Sequence, residues 1–119
     1  MTQAQQAIGV FDSGIGGLTV VRALMERLPF ENIIYFGDTA RVPYGVKSTS
    51  TIEHFTTQIA DFLLHKQVKM LIIACNTMAA VAAEQVRAMS PVPVLDVIEA
   101  GGKAAVQTTK TQSVGFSGG

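Results

Sequence analysis

The chain has 119 residues, 48% of them hydrophobic and 15% charged, with nine Lys plus Arg against nine Asp plus Glu. That length fits one ordinary domain, the composition excludes a disordered chain, and the scattered, balanced charge leaves no footprint for nucleic acid or anionic lipid. The apolar runs are strand-sized, and residues 1–7 lack the basic and then apolar run of a secretory leader, so no membrane partner and a cytoplasmic location are expected.

Residues 8–11, Ile-Gly-Val-Phe, form a short apolar run ended by Asp12-Ser13-Gly14, after which Gly16-Gly17 open a stretch of helical period through Leu18, Val21, Leu24 and Leu28. Pro29 stops that helix. Residues 32–36 make a second β-rich run, and residues 37–45 have the turn chemistry of a loop. Residues 48–67 predict an amphipathic helix with Ile52, Phe55, Ile59, Phe62 and Leu63 on one face, and residues 68–74 a third, wholly apolar strand. Cys75 stands where that strand ends. Asn76 and Thr77 offer capping side chains for an Ala-rich helix over 78–89, Ser90-Pro91 end it, and residues 93–98 predict a fourth strand. Residues 103–110 predict a further helix. The tail from Gln112 begins like a fifth strand and stops in glycines, so the chain is expected to be truncated within a unit. The expected division is a first lobe over 1–98 and the start of a truncated second lobe over 99–119.

Strands alternating with helices at this spacing imply βαβ crossovers and an α/β fold with a doubly wound parallel sheet. Ligands in such sheets bind beyond the carboxyl ends of the strands, which puts Asp12-Ser13, the 39–45 loop and Cys75-Asn76-Thr77 on one rim.

Among these residues the chemistry centres on a thiol. One cysteine makes no internal disulfide and no Cys-based metal cluster, so Cys75 is either core filler continuing the strand or a reactive thiol. The amino end of the following helix, with its free N–H groups, favours a thiolate there. Asp12 has two readings as well: a helix N-cap, or a carboxylate that manages a proton on Cys75 or holds a substrate ammonium. Gly14-Ile15-Gly16-Gly17 lacks the spacing of a dinucleotide fingerprint, and its turn is suited to cradling a carboxylate on backbone N–H groups. Pro43-Tyr44-Gly45 is either a structural turn or a loop presenting amides and a phenol to the rim. His54 and His65 fall at solvated helix positions.

Taken in order, residues 8–20 (IGVFDSGIGGLTV), 38–45 (DTARVPYG) and 74–77 (ACNT) resemble the glutamate racemases of the aspartate/glutamate racemase family, over about residues 8–115. The resemblance implies the first lobe of a two-lobe fold and a cofactor-free, metal-free, two-base proton transfer at the α-carbon of glutamate, supplying D-glutamate for peptidoglycan. Carried over by motif, Cys75 is the base toward the D-enantiomer, assisted by Asp12. By the same motifs Asp12, Ser13, Pro43, Tyr44, Gly45, Cys75, Asn76 and Thr77 bind the substrate. Members of that family bring a second cysteine in a Gly-Cys-Thr-His motif, which this sequence does not contain, so a second lobe is required for a full site and a homodimer is one candidate assembly. Two alternatives stand beside it: a non-catalytic binding module derived from the lobe, and a related aspartate-type racemase.

Overall fold

A computed structural model describes residues 5–14, 17–39 and 47–96. Chain order is β1 (Ile8–Asp12), α1 (Gly17–Arg27), β2 (Ile33–Gly37), α2 (Thr49–His65), β3 (Met70–Ile73), α3 (Asn76–Met89) and β4 (Val94–Asp96). The strands form one parallel sheet in the order β2-β1-β3-β4. Succession therefore runs one way from β1 to β2 and the other way from β3 to β4, and the reversal falls between β1 and β3. This is the doubly wound parallel sheet expected from the alternation of elements.

The two-residue period of the strands sorts their side chains between two cores. Ile8, Val10, Met70 and Ile72 pack on one face with Val20, Leu24 and Leu28 from α1 and its end. Phe11, Leu71 and Ile73 pack on the other with Ile52, Ile59 and Leu63 of α2 and Met78, Ala83 and Val86 of α3. Side chains buried to this degree contribute roughly 1.5–3 kcal/mol each to stability. The small residues of α3 let it lie close to both β3 and α2.

Each of two helices leaves one residue of its expected face outside the core. On α1 the buried stripe is Val20 and Leu24, while Leu18 is 63% exposed. On α2, Phe62 is 45% exposed, its ring tilted against Phe36 of β2 with the Lys66 ammonium 5.1 Å from the ring centroid. His54 and His65 are exposed, as expected. The start of α3 also differs. Its N-cap is Cys75, in extended conformation, and the helix begins at Asn76 rather than 78 because Cys75 Sγ accepts the Met78 N–H.

Among the described residues no helix is long and apolar enough to cross a membrane, and no group of three His, Cys, Asp or Glu side chains could hold a metal ion. The helix expected over 103–110, the fifth strand and the boundary at 98/99 lie outside the described residues.

Candidate functional site

The reversal point between β1 and β3 brings two strand ends side by side at the carboxyl edge of the sheet. Phe11 pairs with Ile73, and the Ala74 N–H donates to the Phe11 carbonyl at 2.8 Å, so Asp12 and Cys75 leave neighbouring strands at nearly the same level. Asp12 has the strand parity of Ile8 and Val10 and turns toward α1, whereas Cys75 belongs to the core beneath α2 and α3. The two groups thus flank the crevice from opposite faces of the sheet.

Asp12 is fully buried and its carboxylate is engaged by three donors. Oδ1 accepts from the Gly14 N–H at 2.8 Å and the Tyr35 hydroxyl at 2.6 Å, and Oδ2 accepts from the Gly17 N–H at 2.6 Å. These bonds close the β1–α1 turn and cap α1, which is the capping geometry weighed for this residue. A side chain on Gly17 would put its Cβ 2.3 Å from Asp12 Oδ2, so a glycine is required for the carboxylate to reach the helix start. The Asp12 carbonyl also accepts the Asp38 N–H at 3.0 Å, tying the end of β2 to the same rim.

Cys75 is buried and held at both ends of its sulfur. Sγ accepts from the Met78 N–H at 3.5 Å, and the thiol donates to Ser13 Oγ at 3.8 Å. Ser13 is itself buried, so it links the β1–α1 turn to the amino terminus of α3. If the thiol gives up its proton, the same hydroxyl can rotate and donate to the sulfur. The N–H groups of Asn76 and Thr77, in the first turn of α3, have no acceptor within the helix and offer a place for an anion. Asn76 is exposed and Thr77 half-buried.

Of the candidate residues, Asp12, Ser13, Cys75, Asn76 and Thr77 therefore share one edge, and Ser13 rather than Asp12 makes the described contact with Cys75. Pro43, Tyr44 and Gly45 lie outside the described residues. Two further residues join the cluster that motif reading did not single out. Tyr35, in mid-β2, reaches Asp12; burial first, and then the neighbouring Asp12 carboxylate, hold its phenol well above the ordinary tyrosine range. Asp38, a buried acid just beyond β2, had a signal in the sequence, since an acid closes the first apolar run at Asp12 and another follows the second at Asp38.

Comparison with known proteins places this edge in a family. The profile of the Asp/Glu/Hydantoin racemases matches residues 8–116, the span that contains both strand ends. The chain belongs to the Asp/Glu/Hydantoin racemase family. Glutamate racemase of Syntrophus aciditrophicus is 72% identical over 93% of this chain and 41% of that protein. Glutamate racemase of Neisseria meningitidis is 67% identical over 94% of this chain and 42% of that protein. The crystal structure of the Francisella tularensis glutamate racemase in complex with D-glutamate superposes with a TM-score of 0.79 at 56% identity, over 82% of this chain and 38% of that one. The chain thus spans about two-fifths of the length of the curated relatives it matches.

Proposed function

We propose that this racemase-family chain supplies one half of a site that interconverts L- and D-glutamate without a cofactor, with Cys75 as one of two bases. The observation that carries the reading is the seating of Cys75: a thiol at the end of a central strand, at the first turn of α3, with Ser13 against its sulfur. The identity to glutamate racemases over nearly the whole chain favours glutamate over aspartate as substrate.

In the proposed step the Cys75 thiolate takes the α-proton of D-glutamate and becomes a thiol. The electron pair of the broken C–H bond remains on the α-carbon and spreads into the adjoining carboxylate. A second thiol on the opposite face, protonated at the start, delivers its proton to that carbon, becomes a thiolate and gives L-glutamate; the reverse direction exchanges the roles. Donors fixed around the α-carboxylate lower the cost of the charge that builds there. Ser13, Asn76 and Thr77, with Pro43, Tyr44 and Gly45, are the proposed contacts for the carboxylates and ammonium, and Asp12 acts by shaping the turn and by its charge. The second base belongs to a second lobe carrying the family's other cysteine. The product fits a role in supplying D-glutamate for peptidoglycan in the cytoplasm.

The test follows optical rotation of each enantiomer with this chain alone and then with the carboxy-terminal half of a full-length relative added. The chain alone is expected not to racemise glutamate, because a positioned proton transfer is typically worth about 10²–10⁴-fold and the second lobe also orients the substrate. Activity is expected in the mixture and is expected to vanish with Cys75→Ala. Robust inversion by the chain alone would overturn the two-base scheme, and a Cys75→Ala mixture as active as the unsubstituted one would overturn the assignment of the base.

A further inference from the structure

We infer that Tyr35 is a positioning residue for this site: its hydroxyl, donated to Asp12 Oδ1, fixes the carboxylate that holds the β1–α1 turn, and with it Ser13, against Cys75. The inference rests on the proposed racemase reading for its catalytic consequence and on the described contacts for its structural one. Register explains how a mid-strand residue reaches the rim. Tyr35 pairs with Val10, two positions short of Asp12, and shares the parity of Gly37, which pairs with Asp12. The phenol therefore runs along the sheet over Gly37, where an added Cβ would lie 2.7 Å from Tyr35 Oη. The missing side chain at Gly37 makes room for the hydroxyl.

The contact matters because torsion about the last bond of an aspartate is broad and roughly two-fold, so the carboxylate is held in place only by its donors, and Tyr35 is the one that ties it to β2 rather than to its own turn. Gly14 and Tyr35 both donate to Oδ1, and Gly17 donates to Oδ2. Together they hold the carboxylate between the turn, the start of α1 and β2. Ser13 sits between Asp12 and Gly14, inside the turn so closed, and its Oγ is the group against Cys75 Sγ. Removing the phenol hydroxyl loosens the turn by which Ser13 is aimed.

Three variants test this: Tyr35→Phe, which deletes the hydroxyl; Gly37→Ala, which displaces the hydroxyl and also sets a Cβ 3.2 Å from the Gly14 Cα; and the two combined. Amide hydrogen exchange on this chain reads the turn without any need for activity. Exchange at Gly14 and Gly17 is expected to rise about tenfold in each variant, with the amide of Ile72 in β3 unchanged. In the mixture with a second lobe, kcat is expected to fall about tenfold with KM within twofold, and the double variant to be no worse than either single one. Unchanged Gly14 and Gly17 exchange in Tyr35→Phe, or exchange raised equally throughout the sheet, would overturn the positioning role, as would full kcat. An unsubstituted mixture that never racemises overturns the functional reading instead, and the exchange data then decide by themselves whether Tyr35 fixes the turn.

Discussion

At the residue scale, Asp12 and Cys75 solve the same problem twice. Each stands at or just beyond the end of a parallel strand and accepts from the first turn of the helix that follows, Asp12 from Gly17 as well as from Gly14 of the turn, Cys75 from Met78. A side chain that accepts from a helix amino terminus is already in a field that favours negative charge, so capping and acid–base chemistry use one geometry. Tyr35 supplies a pH signature for the Asp12 half. Its phenol titrates above the ordinary value because burial and the nearby carboxylate oppose the phenolate. The folded state therefore binds this proton more tightly than the unfolded chain. The stability contributed is fully present below about pH 10, the unfolded value, and is lost as pH rises toward the folded one. In urea titrations the unsubstituted chain is expected to exceed Tyr35→Phe in stability by a constant margin up to about pH 10, and the margin to narrow above it. A margin that widens with pH would refute the protonated-donor role.

At the scale of elements, hydrophobic spacing identified every described helix and strand, but it misplaced one residue on the buried face of each of two helices. On α1 the expected stripe is Leu18, Val21, Leu24 and Leu28; Leu24 and Leu28 are in the core and Val21 packs against it, but Val20 takes the place of Leu18. Phe62 lies beside the buried face of α2, but β2 is an edge strand, and the ring ends outside against Phe36. An ion pair between the Lys69 ammonium and the Glu31 carboxylate joins the entry of β3 to the α1–β2 connection, with the Lys69 side chain 2% exposed. Leaving one buried charge without its partner is costly, whereas replacing both by apolar groups often is not. Glu31→Met, which takes this carboxylate from the buried Lys69 ammonium, is expected to lower unfolding stability by about 3 kcal/mol, and adding Lys69→Met to recover most of the loss, as read from chemical denaturation. Equal stability of the single variant and the unsubstituted chain would show that the pair contributes nothing.

At the scale of the whole molecule, the reversal of strand order between β1 and β3 puts Asp12 and Cys75 beside one crevice while turning them to opposite faces of the sheet. In the proposed reaction such a lobe presents one base to one face of the substrate carbon. A proton removed by Cys75 and exchanged with solvent can then return only to the face it left. In D₂O, added D-glutamate is expected to acquire α-deuterium faster than it inverts when this chain acts alone, with exchange abolished by Cys75→Ala; mass spectrometry and optical rotation on the same samples separate the two. Inversion keeping pace with deuterium uptake would mean that both faces are served within this chain.

The sequence by itself determined the order and type of the elements, the parallel sheet, and the strand-end positions of Asp12, Ser13 and Cys75. Each of these follows from local spacing: a period of two or 3.6, and turn residues between. Only the tertiary structure decided that Val20 rather than Leu18 lies on the buried face of α1, that Phe62 stays outside, that Cys75 itself caps α3, and that Ser13 rather than Asp12 meets its sulfur. Tyr35 belongs to the same group, since its bond to Asp12 spans 23 residues and exists only because β2 pairs with β1 in a register that brings Gly37 level with Asp12. Local pattern fixes what each segment becomes; long-range pairing fixes which side chains then meet, and a contact of that kind leaves no periodic trace in the chain.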